Sequence, residues 1–155
     1  MTMKITLCLA LFKDQDAKIG YSKKEVFGLN RPQSEKALLW ILESMVNIAR
    51  GELRNARLRG KKLPPLYRAG VRYERENGTE NWKDPITVFE DGFGDCEDLA
   101  IWRTAELRNN HKAAKPYIRY RIDPVTGMYI YHVMVMRAGG KLEDPSRKLG
   151  MGRKD

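Results

Sequence analysis

Only two cysteines and two histidines occur in 155 residues, and each scarcity removes a class of explanation. Cys8 and Cys96 are too few for a disulfide framework. No Cys-x-x-Cys pair or Cys/His ligand spacing is present, so a structural zinc site is not expected. No apolar run approaches the roughly 20 residues that a membrane-crossing helix needs, so no membrane span is expected. Repeats, low-complexity tracts and linkers are absent. Base-reading motifs and regularly interleaved aromatics are missing too, which argues against specific nucleic-acid recognition. Acidic charge is in deficit: 29 Lys and Arg face 20 Asp and Glu, for a net charge of +9. That balance favours an acidic partner, whether nucleic acid, a membrane surface or an anionic protein face.

With 42% apolar and 32% charged residues, the chain reads as one globular domain over residues 1–155. It divides into an N-terminal strand and helix part (1–63), a core (64–150) and a basic tail (151–155). Ile5 to Phe12 is apolar. One Lys precedes it, and Lys13-Asp14-Gln15-Asp16 follows without a small-residue cleavage site. A strand suits this segment better than a signal peptide. Free thiols and no export signal fit a reducing, cytoplasmic setting, with Cys8 as a core thiol.

Short strands and turns are expected up to residue 30. Ser34 is a suitable N-cap for a helix running to about Leu58, with Gly60 as its stop. Its apolar face comprises Leu38, Leu39, Ile41, Leu42, Met45, Val46, Ile48 and Ala49. Arg50, Arg54 and Arg57 share another face of it. That basic face is either simply solvated or a docking surface for phosphate or an acidic protein. Leu66 to Glu76 reads as a short helix or an extended piece, and Asn77-Gly78 as a turn. Trp82 to Pro85 and Asp91 to Gly94 read as loops. An apolar helix then spans Cys96 to Asn109. Strands follow at Tyr117–Asp123, Met128–Arg137 and Lys141–Asp144. Helices first and an antiparallel sheet afterwards define an α+β domain.

The chemistry gathers at Gly94-Asp95-Cys96-Glu97-Asp98. Cys96 opens a helix, where the dipole favours a thiolate and free N–H groups can hold an oxyanion. His132 and Asp144 sit on successive strands. With a three-residue loop at Ala138-Gly139-Gly140, Met134 pairs with Asp144, which then shares the face of His132 as its diagonal neighbour. A two-residue loop would send Asp144 to the opposite face. Thiol, imidazole and carboxylate are the parts of an activated nucleophile, a general base and its orienter. Asp95, Glu97 and Asp98 oppose a thiolate by their charge. They are read either as cap and first-turn residues or as oxygen ligands for a cation such as Ca²⁺. His111, at a helix end, is left out of the site.

At these residues the chain resembles the transglutaminase-like, papain-related cysteine superfamily. Gly92 to Ala100 resembles its nucleophile segment, Tyr131 to Val135 its histidine strand, and Gly140 to Ser146 its aspartate strand and Asp-Pro turn. The similarity covers about residues 64–150. It is closest to bacterial transglutaminase-like cysteine proteinases, with a weaker likeness to small phage-encoded relatives. The resemblance implies a papain-like core with Cys96 as nucleophile, His132 as general base and acid, and Asp144 as orienter. In the bacterial group acidic residues beside the cysteine can bind calcium, which maps to Asp95 and Glu97 here, and no cofactor is required. The resemblance also implies a second oxyanion donor beside Cys96, for which Tyr73 and Trp82 have suitable chemistry, core packing being the alternative for Trp82. The expected activity is hydrolysis or transfer of an amide bond of a protein or peptide. A binding or assembly protein, such as a phage particle component keeping a relic triad, is the alternative.

Overall fold

Sequence periodicity is most directly realised in two helices that cover one face of a small sheet. The computed structural model describes residues 31–58, 60, 62–75, 81–125, 127 and 129–152, without the side chains of Arg31, Arg57 and Leu58. Cys8, the strands expected before residue 31 and the Asn77-Gly78 turn lie outside the described residues, as do the last residues of the tail.

Helix α1 spans Arg31–Leu58. It begins ahead of the expected Ser34 cap, because Pro32 fits the first helical turn, where its fixed φ helps and its missing N–H costs nothing. Leu38, Leu42, Met45, Val46 and Ala49 form its buried stripe. Helix α3 spans Cys96–Asn109, as expected. Leu99, Ala100, Ile101, Trp102, Thr104, Ala105 and Leu107 bury it on nearly every side. That is why it packs on both α1 and the sheet. None of the described helices is long and apolar enough to cross a membrane.

The sheet has the order β3-β4-β5 and is antiparallel, with β3 at Ala114–Ile122, β4 at Tyr129–Arg137 and β5 at Leu142–Glu143. Val133 and Val135 join the core formed with α1 and α3. The α+β class therefore stands, with additions. A two-residue parallel pair joins β1 (Arg72–Tyr73) to β2 (Phe93–Gly94). Between them lies helix α2, Pro85–Asp91, which the loop reading of this region missed. Its signals are local: Asp84 caps it, Pro85 is its first residue, and Gly92 ends it at φ 78°. 3₁₀ turns at Leu66–Arg68 and Ala138–Gly140 and helix α4 at Pro145–Lys148 complete the described elements.

Behind β5 lies a buried ionic cluster. The Glu143 side chain is 4% exposed and meets Arg103 at 2.7 Å, Arg137 at 3.1 Å and Lys148 at 3.5 Å. The Tyr67 hydroxyl donates to the same carboxylate at 2.5 Å. Burial alone would raise the Glu143 pKa, but the Tyr67 and Arg103 hydrogen bonds and the surrounding cations bring it down to about 2. The cluster joins α3, β4, β5 and α4 through one carboxylate. Its opposite is Glu52 on α1, whose Oε2 is buried without a partner among the described residues. Burial, then the charge of Asp84, pushes Glu52 up to about 7.

These two carboxyls set opposite pH dependences. The depressed pKa of Glu143 gives stability that is present above about pH 4.5 and lost as pH falls toward 2. Glu143→Gln should cost about 2–4 kcal/mol in urea unfolding at pH 7, because it leaves a cluster of cations uncompensated. The raised pKa of Glu52 works the other way, with stability lost as pH rises from about 4.5 through 7. Glu52→Gln should therefore gain about 1–2 kcal/mol at pH 8, little at pH 4, and flatten the profile between.

Candidate active site

The Gly94–Asp98 segment folds as one unit. A Cβ on Gly94 would stand 3.0 Å from the Asp98 Cβ and 3.3 Å from Val88, so only glycine lets β2 run this close to α3. Asp95 is the N-cap of α3, its carboxylate accepting the Glu97 and Asp98 amides at 3.1 and 3.3 Å. Asp98 completes a capping box by accepting the Asp95 amide at 3.3 Å. Its other oxygen accepts the Lys83 amide at 2.6 Å, latching the Trp82–Pro85 segment to the helix. Cys96 thus becomes the first residue of α3, and its own amide has no intrahelical acceptor.

The loop between β4 and β5 contains the three residues required. Arg137 N–H bonds Lys141 O at 2.8 Å, and Met136 and Val135 pair with Leu142 and Glu143. Continued by one step, this register sets Asp144 beside Met134, diagonal to His132. His132 Nε2 and Asp144 Oδ2 are 3.0 Å apart. An ionised carboxylate only accepts, so this contact keeps the proton on Nε2 and leaves Nδ1 with a lone pair. Asp144 also caps α4 through the Arg147 amide at 3.1 Å, which fixes the carboxylate from its other side.

Cys96 meets β4 at the residue that follows His132. Its sulfur is favoured as an anion by the backbone N–H of Val133, the residue after His132. Other influences on the thiol point the opposite way. Burial pushes its pKa well above the usual thiol range, and the charges of Glu97 and Asp95 push it further. The thiol donates to Glu97 Oε2 at 2.9 Å. In this geometry the cysteine is free of disulfide and rests as a neutral thiol.

Tyr73 flanks the same sulfur. It pairs with Gly94, and burial, then the charges of Cys96, Asp95 and Glu97, pushes its hydroxyl up to about 12. It remains a neutral donor at physiological pH. Trp82 is 2% exposed and belongs to the apolar cluster that contains Cys96. Its indole N–H is buried without a hydrogen-bond partner among the described residues. Core packing describes its position, and the orphan donor is the one polar feature that packing leaves over.

Asp95 and Glu97 do meet, since Glu97 hydrogen-bonds the Asp95 carboxyl. Burial raises the Asp95 pKa, against the Glu97 and Asp98 hydrogen bonds and the charge of Lys83. One Asp95 oxygen is taken by two amides, and no group of three or more His, Cys, Asp or Glu is placed to hold a metal among the described residues. The basic face of α1 is also not one free surface. Arg50 turns inward to Asn109 of α3 at 3.4 Å, and Asn109 returns a bond to the Arg50 carbonyl at 3.1 Å. Arg54 is exposed, and the side chain of Arg57 lies outside the described residues. Sequence reasoning did not find the Val133 amide, the Glu143 cluster or the Lys83 latch. None has a local signal, because each forms between segments distant in the chain.

Replacing Glu97 with Gln removes a negative charge and a proton acceptor from the sulfur. Iodoacetamide labelling of Cys96 at pH 7 should accelerate about three- to ten-fold, with no comparable change for Glu90→Gln.

No family model, curated protein or solved structure matches the chain.

Proposed function

We propose that the protein is a cysteine-dependent amide hydrolase or acyltransferase of transglutaminase-like, papain-related type, acting on a protein or peptide. The observation that carries this reading is the convergence at one strand edge: His132 is held by Asp144 at 3.0 Å, and the adjacent Val133 amide points at the Cys96 sulfur. A core histidine needs neither the oriented carboxylate nor a thiol at the next residue.

In the reaction, His132 Nδ1 takes the Cys96 proton as the sulfur attacks the substrate carbonyl and the carbonyl π pair moves to oxygen. Asp144 holds the ring and balances the imidazolium. The Cys96 amide and the α3 dipole stabilise the oxyanion, with the Tyr73 hydroxyl as a second donor. Collapse breaks the C–N bond. The imidazolium gives its proton to the leaving amine, and a thioester remains on Cys96. Water attacks that thioester with His132 as base, and the acid departs as the thiol regains its proton. An amine in place of water gives transamidation.

The neutral resting thiol follows from the same contacts. Incoming substrate would displace water, reorder the Glu97 contact and let the imidazole compete for the proton. That resting thiol also supports a second reading, a binding or assembly component, such as part of a phage particle, that keeps the triad without turnover.

Fluorogenic peptide turnover separates the two. Cys96→Ala should abolish cleavage while leaving the circular dichroism and urea midpoint near wild type. Asp144→Asn should lower kcat about 10²–10⁴-fold, by analogy with losing the orienting carboxylate of a triad. Full turnover by Cys96→Ala would refute the mechanism. A wild-type thiol that no substrate acylates in mass spectrometry would favour the binding component.

A further inference from the structure

We infer that the sheet face carrying His132 is a docking surface for an extended acidic peptide, with Arg119 and Arg121 as its specificity-determining residues. The inference rests on the amide-cleaving reading and names the substrate class of that site.

Arg119 is the register partner of His132 across β3 and β4, and Arg121 is the partner of Ile130. Partnered side chains share a face, with Cβ atoms about 4.5–5.5 Å apart, and diagonal neighbours lie about 7–8 Å apart. Both arginines are exposed. Neither has an ion pair or side-chain hydrogen bond among the described residues. Arg103, Arg108 and Arg137 are, in contrast, all paired to glutamates. The positive row resumes beyond Asp144. Arg147 is 77% exposed, and its Nε lies 3.9 Å from the Asp144 carboxylate. The His132–Asp144 pair is therefore flanked on both sides by guanidinium groups. Charge is also segregated across the hairpin: its opposite face carries the Tyr120, Tyr129 and Tyr131 ring cluster with Ile122.

The spacing defines the ligand. Arg119 and Arg121 are two residues apart on one strand, so they repeat at about 6.6–6.8 Å. An extended peptide repeats its same-side residues at that interval. Carboxylates at alternate positions, as in Glu-x-Glu, match the two cations and place the intervening chain along the imidazole. A nucleic acid would satisfy the charge but offers no amide carbonyl on its phosphate backbone for the sulfur to attack.

The test uses the full chain and peptides with one common cleavable centre and Glu-x-Glu, Gln-x-Gln or Lys-x-Lys flanks. The acidic peptide should be favoured about three- to ten-fold over the neutral one in kcat/KM at low salt, mainly through KM. Added salt should shrink the preference. Arg119→Gln with Arg121→Gln should bring the ratio near one. Equal turnover of acidic and neutral peptides by the wild type would overturn the inference and leave the amide-cleaving reading standing. If no peptide is cleaved, that reading fails, and anisotropy titration of the Cys96→Ala protein decides the surface. Acidic-peptide binding that the double variant loses upholds it. Absent binding, or equal binding of a single-stranded DNA of the same length, refutes it.

Discussion

The buried carboxylate of Asp98 is the contact on which the site depends. It is 1% exposed, and a charge so placed is tolerable only when its lone pairs are filled. Its oxygens accept the amides of Lys83 and Asp95. Through the first it anchors the segment entering α2. Through the second it closes the capping box and fixes where α3 begins. The position of Cys96 at the first turn is a consequence of that cap. Gly94 is required for the same reason, since a side chain there would strike Asp98 itself. The motif is thus a piece of backbone engineering before it is a piece of chemistry, and its acidic residues have structural work apart from any reaction.

A second constraint comes from parity. Strand side chains alternate, so one residue more or less in the Ala138–Gly140 loop would put Asp144 on the wrong face. The three-residue loop gives the right one, with Gly139 and Gly140 at φ 72° and 75° turning the chain as few other residues can. The pairing would still be weak if β5, only two residues long, were held by its ladder alone. Glu143 supplies the rest. Its carboxylate gathers cations from α3, β4 and α4 around the residue next to Asp144. The face opposite His132 is thereby pinned to the helical layer.

What could be read in the sequence was what local rules control. The α3 helix was legible because its cap, acidic first turn and apolar body agree. The place of the β4–β5 loop was legible from its glycines, but its length, on which the face of Asp144 depends, was not. The β3 and β4 strands were legible from alternation. Helix α2 carried an equally local signal in Asp84-Pro85 and Gly92, which the loop reading passed over. Other features had no local trace. Arg50 shares a helical face with Arg54, yet its inward turn to Asn109 depends on where α3 ends. Glu143 is an ordinary strand residue until Arg103 and Tyr67 arrive from elsewhere in the chain. The Val133 amide reaches the sulfur only because α3 meets the strand edge where β5 stops. Such features belong to packing, and a single sequence encodes them without displaying them.

The charges around the site are not mixed but divided. Asp95 and Glu97 lie on the thiol side, whereas Arg119 and Arg147 flank the imidazole and its carboxylate. A negative wall beside a sulfur raises the free energy of the thiolate, which slows oxidation as well as catalysis. The acidic half therefore keeps the resting cysteine neutral, while the basic half draws the carboxylates of an acidic ligand to the side of the site away from the sulfur. The same charge pattern that makes the resting cysteine inert thus sorts what can approach it by charge.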